Sequence, residues 1–212
     1  MFNLPGLVAV AGSRVLPASG SALVVRVVSD LAAGGASFVV GCCTGADAAL
    51  LSAVPGSVPP SLVRCFAAFG PDSVGVGQFS AVAQVFGFAR SGGSVRWWAG
   101  GPVSVPLHAR LADRTRAVIA SANAGLVVFF SSPRSRGSVL AARLALKRGL
   151  PVFAFPCGVI SSALPSLGAG SWLAVDGVGV WSSAFIWVTH AYKLNRSSLI
   201  PPFDSCSIKK AS

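Results

Sequence analysis

Few folds accommodate residues 114–156, RTRAVIASANAGLVVFFSSPRSRGSVLAARLALKRGLPVFAFP. Leu111, Val118, Ile119 and Ala122 fall at i, i+7, i+8 and i+11, the spacing of one helix face. Ala124-Gly125 ends that helix. Leu126-Val127-Val128-Phe129-Phe130 then forms an unbroken apolar run, suited to a strand buried on both faces as in a parallel sheet. A polar loop from Ser131 and Ser132 to Arg136 leads into Gly137-Ser138 and a second helix carrying Leu140 and Leu144 at i, i+4. Gly149 is placed to stop that helix, and Pro151-Val152-Phe153-Ala154-Phe155 reads as the next strand. Alternating helices and strands predict an α/β fold, a three-layer Rossmann-like parallel sheet with helices on both faces. The ligand position in such a fold is the helix start at Gly137-Ser138, where free backbone N–H groups and the helix dipole favour an anion.

The earlier chain repeats the pattern. Leu7–Ala11 is a short strand followed at once by Gly12-Ser13-Arg14, where glycine permits a tight turn and Arg14 offers a positive fork to a phosphate. A helix is predicted from about Ser21 to Ala33. Strand Ser37–Gly41 then enters Cys42-Cys43-Thr44-Gly45-Ala46-Asp47 and another helix. Asp47 has three readings: holding a ribose hydroxyl, orienting an arginine, or complementing the dipole of a first helical turn. Further strands are expected at Leu62–Phe69 and Ser94–Trp98, with a helix between them over Phe79–Ala89. Trp97 and Trp98 cannot face the same side of a strand; base stacking and core packing are both open to them. In the helix Val105–Ser121, Arg110 and Arg114 share a face, whereas Arg114 and Arg116 point about 200° apart. His108 has no catalytic partner at useful spacing. Arg136, Arg143 and Lys147 form one stripe, either tracking a phosphate backbone or simply solvated. Strands or packing segments are expected at Trp172–Val175 and Val178–Val188. Residues 1–188 read as one domain and residues 189–212 as a loose tail.

Composition narrows the function classes. Seventeen Lys+Arg against six acids give a net charge of +11, and all but four of those bases are arginine. Arginine forks suit phosphate, so nucleic acid is one explanation; the other is that net charge keeps a chain with 53% hydrophobic residues in solution. The longest uncharged run, Gly149–Val175, is broken by Pro151, Pro156 and Pro165, which argues against a membrane span. The first residues carry no basic signal-peptide start. Five scattered cysteines without a C-x-x-C pair read as buried free thiols, and the location expected is cytoplasmic.

Several of these stretches carry a family resemblance. Arg114-Thr115-Arg116, the run Gly137-Ser138-Val139-Leu140-Ala141-Ala142-Arg143 with Gly149, and Val152-Phe153-Ala154-Phe155-Pro156 resemble the R-N-R, G-S-x-x-T-A-R and V-F-A-V-P-G motifs of the DNA-processing protein A (DprA/Smf) family. Gly12-Ser13-Arg14 and Ser135-Arg136-Gly137-Ser138 are also similar to YspA/YpsA-like proteins. Both groups lie within the SLOG superfamily of nucleotide-ligand Rossmann folds. Thr44-Gly45-Ala46-Asp47 resembles R-G-A-D, with Thr44 replacing the expected arginine. The resemblance implies binding of single-stranded DNA, a recombinase partner and a homodimer, or in the sensor branch a nucleotide-derived ligand. Together with the loop and helix-stripe readings above, it puts Gly12, Ser13, Arg14, Thr44, Gly45, Asp47, Arg114, Arg116, Ser131, Ser132, Arg136, Gly137, Ser138, Arg143 and Lys147 at the expected site, the resemblance favouring both Arg114 and Arg116 near the ligand.

Hydrolysis is disfavoured on chemical grounds. The chain contains no glutamate, and Ala141 stands where the phosphoribohydrolases of the same superfamily carry their catalytic one. No Walker loop, Ser-His-Asp set or metal cluster is legible, so a binding protein without a required cofactor is the expectation.

Overall fold

The computed structural model describes residues 4–54, 56–76 and 79–189. Eight strands form one sheet: β1 (Gly6–Gly12), β2 (Ala36–Val40), β3 (Val63–Phe66), β4 (Ser94–Arg96), β5 (Gly125–Phe130), β6 (Val152–Pro156), β7 (Gly170–Ala174) and β8 (Phe185–Thr189). Five helices connect them: α1 (Ala18–Ala33), α2 (Ala46–Ala53), α3 (Phe79–Arg90), α4 (Leu107–Ser121) and α5 (Arg136–Lys147). The strand order is β4-β3-β2-β1-β5-β6-β8-β7. Six strands are parallel; β8 joins β6 antiparallel and β7 joins β8 antiparallel. The fold is thus the expected α/β Rossmann-like sheet, with a two-stranded antiparallel extension on one side.

Alternation along the central strands explains the two layers. Val8, Val10, Phe38, Val40, Val127, Phe129, Phe153 and Phe155 face one side, where they pack with residues of α1, α2 and α3. Ala9, Val39, Leu126, Val128, Phe130, Val152 and Ala154 face the other, against α4 and α5. Every residue of β5 is buried, as the continuous apolar run requires. The small residues Ala141, Ala142 and Ala145 let α5 lie close on that strand. The strand order reverses between β1 and β5, so the connections that leave their paired C-terminal ends run to opposite sides and open a crevice, the usual ligand position in open α/β sheets.

Local departures from the sequence reading have physical causes. β4 stops at Arg96 rather than Trp98, because Trp98 adopts φ 53° and turns the chain. Trp97 packs against Phe69 and Phe86 with ring centroids 5.9 and 5.2 Å away. Trp98 lies beneath the guanidinium of Arg110, 5.6 Å from ring centroid to Cζ. Both tryptophans serve packing, and neither lines the crevice. The 178–188 segment is a 3₁₀ stretch, Gly179–Ser183, followed by β8. Its Trp181 donates its indole N–H to Asp30 Oδ2 at 2.7 Å, tying the segment to α1. Of the expected tail, residues 190–212 lie outside the described residues.

Candidate anion-binding site

Three loops converge at the C-terminal ends of β1, β2 and β5. The first, Ser13-Arg14-Val15, is fixed from both sides: Ser13 N–H donates to Phe129 O at 2.8 Å, and Ser13 O accepts Ala46 N–H at 3.2 Å. Gly12 allows this close approach, since a Cβ there would lie 2.5 Å from Ala46 Cβ and 2.8 Å from Phe129 O. The second loop, residues 41–45, is latched to the first by Thr44, whose hydroxyl donates to Arg14 O at 2.9 Å. The third, residues 131–135, is joined by serines: Ser131 N–H donates to Ser13 Oγ at 2.9 Å, and Ser13 Oγ and Ser138 Oγ both donate to Ser135 Oγ, at 3.1 and 3.2 Å. A small-side-chain hydroxyl network thus holds the crevice walls without filling the space between them.

That space is a cavity of about 820 Å³. Arg14, Arg114, Arg134 and Arg136 line it, together with Ser131, Ser132, Gly137 and Ser138 at the start of α5. Ser135 makes no side-chain cap bond to the helix, leaving its first turn to an external acceptor. A Cβ at Gly137 would meet nothing within 4 Å, which is the steric counterpart of an open seat at the helix end. Arg14, Arg134 and Arg136 are exposed at the rim.

Arg114 forms the floor. It is only 7% exposed, because its side chain leaves α4 and crosses the end of β2 directly over Gly41. A Cβ at Gly41 would sit 1.6 Å from Arg114 Nη1. Beyond that crossing, Nη1 meets Asp47 Oδ2 at 3.5 Å and Nη2 meets Cys43 Sγ at 2.9 Å. Asp47 also accepts the backbone N–H of Cys43 at 3.0 Å. Of the roles open to Asp47, orienting an arginine is the one this geometry displays. Burial pushes the Asp47 carboxyl up to about 7, outweighing the opposing pull of Arg114. Cys43 is shifted the other way: a hydrogen bond from Cys42 leads in lowering it, against burial, and Arg114 and Arg14 add to the effect. Burial alone would weaken the charge of Arg114, but Cys43, Cys42, Asp47 and Cys65 together hold it protonated.

The other residues expected at the site are dispersed. Arg116 is turned away on the far face of α4, where its exposed side chain pairs with Asp113; the helical angle between residues 114 and 116 leaves only Arg114 of the two lining the cavity. Arg143 and Lys147 continue the exposed stripe of α5 but do not line the cavity; Arg143 donates instead to Ser166 O at 3.4 Å. Thr44 and Gly45 act through the loops, with Gly45 beside a shallower neighbouring depression. Arg134 and Ser135, in the loop before α5, line the cavity outside the predicted set, and two further lining residues with titratable side chains were not legible as site residues in the sequence: Cys43, grouped there with the buried free thiols, and His108, exposed at the cavity wall on the first turn of α4. Neither belongs to a motif, and only the approach of α4 to the β2 loop brings them to the crevice.

Fold and site together define a Rossmann-like domain with an arginine-lined crevice at its switch point. No protein-family model and no curated protein matches the sequence. Among solved structures, DNA processing protein A from Helicobacter pylori, described for its single-stranded DNA binding mode, is similar with a TM-score of 0.57 at 21% identity, over 76% of this chain and 69% of that one. The same protein (DprA) from Streptococcus pneumoniae is similar with a TM-score of 0.57 at 24% identity, over 75% of this chain. The chain spans 53% of the length of the S. pneumoniae protein. The fold is therefore that of DNA processing protein A. No helix among the described residues is long and apolar enough to cross a membrane.

Proposed function

We propose that the chain binds single-stranded DNA, seating backbone phosphate at the crevice between Arg14, Arg136 and the first turn of α5. The observation that carries this reading is the cavity itself: four arginines and an uncapped helix N-terminus converge where the hydroxyl network holds the walls apart. The net charge of +11 and the likeness to a protein described for single-stranded DNA binding support a polyanion over a neutral ligand. Arg143 and Lys147, leading away along α5, extend the basic track beyond one phosphate. The size of the cavity also suits a free nucleotide, the second reading, since small-molecule sites run from about 300 to 1,000 Å³.

Fluorescence anisotropy with labelled oligo-dT over a salt series separates the two. Affinity is expected to fall steeply with salt, and ATP, NAD and AMP are expected to leave it unmoved. The pair Arg14→Ala and Arg136→Ala is expected to weaken binding by about tenfold or more and to reduce the salt slope by about 2. Arg116→Ala, outside the crevice, is expected to change it little. A flat salt dependence, or displacement of the oligonucleotide by a mononucleotide, overturns the DNA reading in favour of a nucleotide ligand.

A further inference from the structure

Cys43 takes no part in the anion-binding reading, yet it occupies an unusual position. It is half-buried, lines the cavity, and holds its sulfur 2.9 Å from Arg114 Nη2. The other described cysteines, Cys42, Cys65 and Cys157, are free but buried away from the cavity. Arg114 is more than nine-tenths buried on the same wall, and its Nε has no hydrogen-bond partner among the described residues. A thiol against a buried cation, open to a basic cavity, has the surroundings of reactive rather than structural cysteines.

We propose that Cys43 is a nucleophilic thiolate and a modification site, taking small anionic disulfides by thiol–disulfide exchange. Arg114 from α4 and Arg14 from the β1 loop stabilise the sulfur anion, and Cys42 S–H donates to it. The opposing groups are Asp47 from α2 and Cys65 from β3. Asp47 is held largely neutral below pH 7, and burial pushes the Cys65 thiol far up, so neither places a full negative charge beside Cys43 there. Arg134 and Arg136 at the rim attract a carboxylate-bearing reagent to the cavity. In the exchange, the Cys43 sulfur attacks one sulfur of the disulfide, a new S–S bond forms, and the old one breaks. The departing thiolate leaves with the bonding pair, so Cys43 is oxidised to a mixed disulfide while the reagent's other half is reduced to its thiolate. None of this depends on which ligand the crevice binds.

The test uses the full chain carrying Cys206→Ser, because Cys206 lies outside the described residues. The protein is incubated with oxidised glutathione across a pH series, with intact mass and peptide mapping as readouts. One glutathionyl group is expected, on Cys43, and its rate profile is expected to have a midpoint below the value of about 8.5 for a free thiol. Arg14→Gln replaces an exposed residue and is expected to leave the circular dichroism spectrum unchanged, to slow modification several-fold at neutral pH and to move the midpoint upward. Modification of Cys42 or Cys65 ahead of Cys43 overturns the proposal. A Cys43 profile coinciding with that of a free thiol, or unchanged by Arg14→Gln, overturns it equally.

Discussion

Replacing Arg114 with alanine is expected to destabilise the protein by about 3–5 kcal/mol at pH 8, the usual cost of removing one partner from a buried ion pair. Arg114 sits under the crevice, 7% exposed, with the Asp47 carboxylate 3.5 Å from Nη1 and the Cys43 sulfur 2.9 Å from Nη2. Alanine leaves both anions without a counter-ion and opens a hole over Gly41. The loss depends on pH, and its sign follows from Asp47. Burial raises the carboxyl in the folded protein to about 7, against about 3.9 in an unfolded chain. A group raised on folding contributes most below its unfolded value, and that contribution is lost as pH rises through the folded value. Without Arg114 the folded value rises further, so the variant keeps losing stability above pH 7 after the parent has levelled off. Urea unfolding at pH 6 and pH 8 checks this: the deficit of the variant is expected to be larger at pH 8 by about 1 kcal/mol, the equivalent of roughly one pKa unit. A deficit below 1 kcal/mol, or one identical at both pH values, means that the guanidinium does not compensate a buried charge.

What the sequence disclosed and what it hid divide along one line: the range of the interaction. β5 was legible because an unbroken run of five apolar residues, Leu126–Phe130, has few uses outside a strand covered on both faces. The start of α5 was legible because Gly137-Ser138 follows a polar loop and precedes a helical period. These signals are local. The role of Arg114 is not, since it needs α4 to cross the end of β2, 73 residues earlier in the chain at Gly41. Helical geometry did establish that Arg114 and Arg116 diverge, but not which of them turns inward; packing of Val118 and Ile119 against the sheet decides it. Cys43 was hidden for the same reason. Its sequence neighbours are those of a buried strand-end thiol, and the guanidinium beside it comes from α4. β4 is shorter than the sequence predicts because Trp97 and Trp98 carry strong strand propensity, while Trp98 takes a positive φ and lies against Arg110, a contact from α4 that its neighbours in sequence do not reveal.

Gly45→Ala is expected to be about as severe as loss of Arg114, for a steric rather than an electrostatic reason. Gly45 has φ 73° and ψ −122°, a backbone conformation that L-residues adopt only under strain, at a cost of about 1–3 kcal/mol. A methyl group there would also lie 2.0 Å from Ser13 O and 2.6 Å from the carbonyl carbon of Arg14. Both obstacles are backbone, and neither can withdraw. Ser13 O accepts Ala46 N–H, Ser13 N–H is bonded to Phe129 O, and Arg14 O holds the Thr44 hydroxyl. Relief therefore requires separating the β1 loop from the start of α2, which breaks that latch and displaces Arg14 from the crevice. The total is expected to exceed about 3 kcal/mol in denaturant unfolding, and oligonucleotide affinity is expected to fall with it. Gly137→Ala supplies the contrast. Its methyl meets nothing within 4 Å, and alanine is the better helix former, so stability is expected to hold or rise by about 0.5–1 kcal/mol. If Gly45→Ala proves as stable as Gly137→Ala, the two loops are not clamped together, and the rigid walls on which the anion site depends are absent.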